Sequence, residues 1–478
     1  MPLAVMICEY CNSRFFMRWG VSFIFILNIC FAFAKGDDAF IKLDLPSFES
    51  DGVFSTASRP KNDWWVELND PVLDSLISLA ISNNQDVFVA MDNILAARAS
   101  YRIAQSEFYP TITLERGWSK SQSSRNLGNE TDLVSDVTQS NWLFALNASW
   151  EVDIFGTIRA RAKEAKFGYE AEIELYNATI MSLTADMASY YAQLRMMQQQ
   201  LIVAVKNIES QREILNITEV RFNAGLASQL DVAQAKSVYY STKASVPVLQ
   251  SSIDSQIYTI SQLAGVFPQT LYNWLVVPEE IPSYLKVIAI GSSEEMLANR
   301  PDVSAAFIKT KAAKECLNGA KRNFSPQFFV DGSFGFQGQS LKNTFNSNSI
   351  TYSLSPRISW TFFQGGNLFN SLKQEKANYD AAIRNYNSVV LKATEEVSSA
   401  ISAYKGRIKQ VVSLRELVVQ GELMLSLSLD LYKRGLTDFQ NVLDSQRSLL
   451  EYQNSLVSAE GNTLTALINL YRALGCGW

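Results

Sequence analysis

NNQDVFVAMDNILAARASYRIAQSEFYP, residues 83–110, realigns without a gap on NRPDVSAAFIKTKAAKECLNGAKRNFSP, residues 299–326, a shift of 216 (299 − 83). The identities include Asn83/Asn299, Asp86/Asp302, Val87/Val303, Ala104/Ala320, Phe108/Phe324 and Pro110/Pro326. From Ser149 onward the chain realigns at a shift of 210 (359 − 149), pairing Ser149/Ser359, Trp150/Trp360, Gly156/Gly366, Tyr169/Tyr379, Gly225/Gly435, Leu226/Leu436 and Val232/Val442. One indel of six residues (216 − 210) separates the blocks, between Pro110 and Ser149 where a loop is expected. A period this long is no solenoid repeat; each copy is a domain-sized half of one architecture.

Composition narrows the function. The net charge is −5 and gives no nucleic-acid footprint. The absence of histidine excludes Ser-His-Asp and Cys-His catalysis and histidine metal sites. With no phosphate loop or other catalytic motif, the expectation is a protein that is not an enzyme and carries no cofactor. Charged residues make up 19% of the chain, against roughly 25% in soluble proteins.

Residues 1–34 have the order of a secretory signal peptide. Arg14 and Arg18 precede the apolar run Val21–Phe33, which ends in Ala32-Phe33-Ala34, with cleavage expected after Ala34. The run is shorter than the ~20 residues of a spanning helix. A lipoprotein leader with lipid attachment at Cys30 is the alternative, although Ile29 is bulky where a small residue is usual. Outside the leader only Cys316 and Cys476 remain, too far apart for a metal motif and expected as two separately buried thiols.

Two periodicities divide the rest. Val232, Ala235, Tyr239, Thr242, Val246, Leu249, Ile253, Gln256, Ile260 and Leu263 climb in alternating steps of three and four, and the same ladder runs from Val442 to Ala473. Such heptads make coiled-coil helices. Pro247 is expected to kink the first ladder. Before each ladder lies a long proline-free rod, Thr157–Phe222 and Asn367–Lys433, each about 100 Å long if it is one helix. The other period is two. Ile112 and Leu114, Trp142–Trp150, Phe328–Phe336 and Tyr352–Phe362 alternate with polar residues, giving four strands in two hairpins, with Pro356 expected to mark a bulge.

Four aromatic-faced strands in an exported chain fit an outer-membrane barrel. Four cannot close in lipid, where no edge stays unpaired. Two chains would give a barrel filled by side chains, whereas three would give twelve strands and a lumen. Arg357 and the serines beside it would then face water.

Both rods end in a turn signal. Gly225 and Gly435 supply the left-handed residue, and Ser228 with Asp231 and Thr437 with Gln440 read as N-caps with capping-box partners. Leu226 and Leu436 at these tips suit a protein contact.

Taken with Trp65–Leu73, Ala104–Pro110, Ser149–Gly156, Asn299–Asp302, Val442–Arg447 and Leu470–Trp478, the chain resembles the outer-membrane factors of the TolC/OprM superfamily, nearest the OprM-like efflux-lipoprotein branch. The resemblance implies a mainly α fold with membrane β: a two-repeat α-barrel of long helices plus four strands per chain given to a twelve-stranded β-barrel of a homotrimer. It implies a passive exit duct for small molecules in a tripartite efflux pump, lodged in outer-membrane lipid and reaching into the periplasm. A periplasmic adaptor and an inner-membrane transporter would be its partners. Carried over by position, Gly225, Leu226, Ser228, Gly435, Leu436 and Thr437 would bind the adaptor, and Tyr432, Asn441, Asp444 and Asp231 would form the periplasmic gate. Tyr432 and Asp444 keep the family residue. Thr437 and Asn441 replace an Arg and an Asp, which puts an Arg–Asp latch in doubt.

The expected organisation is a leader (1–34), an N-terminal periplasmic segment (35–82), repeat 1 (83–265, hairpin 109–152, tip 221–231), a connection (266–298) and repeat 2 (299–478, hairpin 326–363, tip 432–444). The alternatives are the duct of a type I protein secretion system and, from another class, a trimeric coiled-coil adhesin or rod.

Overall fold

A computed structural model describes residues 53–55, 60–122, 138–284 and 287–478. The expected leader and Cys30 lie outside the described residues, as does most of the first strand loop.

In chain order the elements are β1 (Phe54–Ser55), α1 (Pro71–Asn83), α2 (Gln85–Ser106), β2 (Thr111–Gln122), β3 (Thr138–Val152), α3 (Thr157–Asn223), α4 (Gln229–Leu263), α5 (Pro268–Leu275), β4 (Ile288–Ala289), α6 (Ser293–Asn299), α7 (Pro301–Arg322), β5 (Gln327–Gly338), α8 (Leu341–Thr344), β6 (Ile350–Ser359), α9 (Asn367–Lys433) and α10 (Phe439–Ala473). The repeat is kept at element boundaries. α2 and α7, and β2 and β5, begin and end 216 residues apart; α3 and α9, and α4 and α10, begin and end 210 apart.

Each rod is one helix of 67 residues. Both are launched by a glycine in left-handed backbone, Gly156 (φ 87°) and Gly366 (φ 83°), a conformation open to glycine without a Cβ clash. α4 runs unbroken through Pro247. The ladder positions of α10 face inward: Val442, Ser445, Leu449, Ala459, Leu470 and Ala473 are buried. α3 packs on α4 and α9 on α10, and α3 also packs on α10 across the repeats. Among the described residues no helix is long and apolar enough to cross a membrane.

The four long strands form a single antiparallel sheet in the order β2-β3-β5-β6, because β3 and β5 join the two hairpins. β6 stops at Ser359, so Trp360 and Phe362 lie beyond it. Pro356 makes no bulge; the register passes through Val330↔Pro356 unbroken. β6 is an edge strand of this sheet, where a missing amide can be tolerated.

Around the middle of the rods the chain gathers its largest core. α1, α5 and a two-stranded parallel pair, Phe54↔Ile288 and Ser55↔Ala289, wrap onto it. Trp64 stacks on Tyr471 at 5.1 Å. Arg195 of α3 is fully buried. It donates to Gln198 Oε1 (2.8 Å), to the Val277 carbonyl (2.9 Å) and to the Glu279 carboxylate, and so ties the connection between repeats to the rod. Its guanidinium lies 4.8 Å from the Tyr191 ring, whose hydroxyl donates to Asp70, the N-cap of α1. Cys316 and Cys476 are both free; Cys476 is buried as expected, whereas Cys316 is only half-buried. Burial pushes the Cys476 thiol up to about 12.

Candidate functional site

The far ends of the rods are built alike. Gly225 and Gly435 both have φ 73°. The Leu226 amide donates to the Arg221 carbonyl (2.8 Å) and the Leu436 amide to that of Leu431 (2.9 Å). These bonds close the left-handed turn that ends a helix. The turn throws each leucine outward, with Leu226 65% and Leu436 70% exposed. Ser228 and Asp231 form a full capping box, both bonds at 3.1 Å.

The second tip differs from its expectation. Its N-cap is Asp438, the equivalent of Ser228, and not Thr437; its side chain makes no cap bond. Thr437 Oγ1 instead accepts from Asn441 Nδ2 at 2.5 Å, and Asp444 accepts from Gln440 Nε2 at 3.0 Å. The turn places Asn441 where the first tip has the capping Asp231, so no carboxylate is available to complete the box.

Of the four gate candidates, Asp231 is taken up in the capping box of α4, and the other three fall into two places. Asn441 and Asp444 line a shallow groove with Thr437, Met424, Ser428 and Leu431. Tyr432 is 4% exposed and packs into the tip core with Ile214, Ala235, Val238, Phe439, Val442 and Leu443. Burial, and then the charge of Asp231, push its hydroxyl above the usual range. Its first-repeat equivalent, Phe222, is exposed.

Arg221 completes this arrangement and was not foreseen. Its Nη1 donates to the Lys433 carbonyl at 2.8 Å, and its guanidinium lies 4.7 Å from the Tyr432 ring. It fastens the end of α3 to the end of α9. Leu431 stands at the matching place in the second repeat, so the lone charge in one copy was the available signal.

At the other end, the two faces of the sheet differ. One face carries Ile112, Leu114, Leu146, Phe334, Tyr352 and Leu354, all exposed. The opposite face carries a polar network. Asn147 Nδ2 donates to Glu115 (2.9 Å), Ser149 Oγ to Asp331 (2.7 Å), and Arg357 Nε to Asp331 (2.8 Å). The strands are pinned to the helices identically in both repeats: Trp150 Nε1 donates to the Phe108 carbonyl and Trp360 Nε1 to that of Phe324, each at 3.0 Å.

Paired long rods on such a sheet are the architecture of outer-membrane channels. The chain is similar to the outer-membrane channel OprN, with a TM-score of 0.85 and 29% identity over 92% of this chain and 98% of that one. It also shares its fold with VceC of Vibrio cholerae, with a TM-score of 0.80 and 24% identity over 87% and 99% of the two chains. The family model described as outer membrane efflux protein matches residues 76–266 and 293–476, and the chain belongs to that family, whose place is the outer membrane. Among its relatives are the solvent efflux pump outer membrane protein SrpC of Pseudomonas putida, 28% identical over 423 residues (86% of each chain), and nodulation protein T of Rhizobium leguminosarum bv. trifolii, 26% identical over 440 residues (91% of this chain and 92% of that one).

Proposed function

We propose that three copies of the chain form a passive outer-membrane exit duct for small molecules, fed by an inner-membrane transporter through a periplasmic adaptor seated on the tips. The observation that carries this is the sheet. Its apolar face is exposed, its polar face is hydrogen-bonded, and β2 and β6 each have one neighbour. Lipid tolerates no open edge, so the sheet must be completed by other chains. Twelve strands leave a lumen that the polar face would line. The efflux-pump names of the relatives support small molecules as cargo.

At the other end, the exposed Leu226 and Leu436 offer paired contacts to an adaptor. Asp444, repeated three times around the axis, would place negative charge at the constriction and favour cations. The test is a planar bilayer holding the purified trimer in a salt gradient. Small, cation-selective conductance is expected, with weaker selectivity in Asp444→Ala. Unchanged selectivity would remove Asp444 from the gate, and a monomer soluble without detergent would overturn the duct.

A further inference from the structure

The outward face of the sheet is apolar along most of its length, yet it carries two cations near its hairpin end. Arg116 and Lys120 alternate with Trp118 on the same face of β2 as Ile112 and Leu114. Among the described strand residues the carboxylates are Glu115, Glu151 and Asp331, and all three stand on the opposite face. Among the described strand residues, the outward face therefore carries only positive charge.

The positive charge lies over a built surface. Arg116, Phe144, Phe336 and Ile350 form one row across the four strands. The Arg116 guanidinium is 5.4 Å from the Phe144 ring. Phe345, just after α8, lies 4.7 Å from Phe144 and 5.6 Å from Phe336. α8 is seated tightly, since a Cβ on Gly338 would come within 2.8 Å of Thr344 Oγ1. The segment thus folds down the outside of the sheet and brings an exposed Lys342 with it.

Its polar backbone cannot sit in hydrocarbon, which sets the lipid headgroups at the row of Arg116. From that row to Trp150 is six residues, or ~20 Å of strand. That is a thin apolar band, in keeping with a bacterial outer membrane.

We propose that Arg116, Lys120 and Lys342 form a binding site for the phosphate-bearing headgroup of an outer-leaflet lipid, with Phe144, Phe336 and Phe345 as its apolar floor. Clustered basic side chains at a membrane surface attract anionic headgroups. Arginine over an aromatic ring presents its planar fork to phosphate oxygens. This rests on the duct reading, because lipid meets this face only if the sheet is a membrane wall.

The test is native mass spectrometry of the detergent-solubilised trimer, delipidated and titrated with diphosphorylated lipid A or its dephosphorylated form. The expected result is at least about tenfold stronger retention of the phosphorylated lipid. The double variant Arg116→Gln/Lys120→Gln should lose that preference, and Lys206→Gln, on the distant rod α3, should keep it. Equal retention of the two lipids by the unaltered protein, or a preference that survives in the double variant, would overturn the site. Displacement of the lipid by millimolar inorganic phosphate would also overturn it, since the site would then be one for free anions. Conductance in a neutral phospholipid bilayer tests the duct separately, and the double variant should still conduct there.

Discussion

Arg300 is buried, and its three donor nitrogens hold three different parts of the chain. Nη1 donates to the Ala473 carbonyl (2.9 Å), Nη2 to Asp302 and Glu396 (2.7 Å each), and Nε to Asp302 (3.0 Å). Asn84, its counterpart 216 residues earlier, donates to the carbonyl of Leu263, the counterpart of Ala473, at 2.9 Å. The same position therefore closes the end of the ladder helix in both repeats, once with an amide and once with a guanidinium. Sequence showed the Arg-Pro-Asp run only as a motif, because its partners Glu396 and Ala473 lie 96 and 173 residues away. Arg300→Ala should destabilise the fold by about 3 kcal/mol at neutral pH, read by denaturant unfolding. Burial raises the Asp302 carboxyl, but the Arg300 guanidinium and then the Val303 amide outweigh it and hold the group below its usual value. That stabilisation is complete above the unfolded pKa of about 3.9 and is lost as pH falls through the lowered folded value. The penalty of the variant should therefore shrink below about pH 4, and a constant penalty from pH 7 to 3 would rule out the ion pair as its source.

The elements show what a repeat makes legible. Rod and ladder boundaries could be read closely because glycines mark their ends and period marks their faces. The cap of the second tip was misplaced by one residue, since Thr437 and Asp438 are both cap formers and only the folded turn chooses between them. The β1–β4 pair was invisible because its partners lie 234 residues apart (288 − 54) and each strand has two residues. Glycines separate a turn requirement from a packing requirement. A Cβ on Gly225 meets nothing within 4 Å, although its φ is 73°; a Cβ on Gly265 (φ 69°) would lie 2.2 Å from the Asn83 carbonyl oxygen. Gly225→Ala should cost about 1–2 kcal/mol of left-handed strain. Gly265→Ala should cost clearly more, because α1 must also retreat from the end of α4. Equal melting temperatures for the two variants would contradict this.

At the scale of the whole described unit, the contact between repeats combines an apolar core with a row of buried polar side chains. Between α3 and α10, Gln200 Nε2 donates to Ser458 Oγ (3.1 Å) and Asn207 Nδ2 to Gln453 Oε1 (2.7 Å). Gln211 and Gln446, one and two turns further on, have buried amide atoms with no protein partner. Such groups weaken an interface by about 1–3 kcal/mol each. At the tip, Arg221 fastens α3 to the end of α9 and so joins the two repeats there as well. On the duct reading, Arg221→Ala should free the second hairpin and raise single-channel conductance several-fold; unchanged conductance would mean that the tips are held elsewhere. The architecture at this scale was visible in sequence as two alternating periods, whereas the seam was not, because its polar rungs read as ordinary helix surface. The open edges of the sheet bear on timing as well as on shape. A single chain with β2 and β6 unpaired has no resting place in a bilayer. On the duct reading, its passage into the membrane is therefore set by how soon it meets its own kind, and until then it depends on whatever shields those edges from the wrong neighbour.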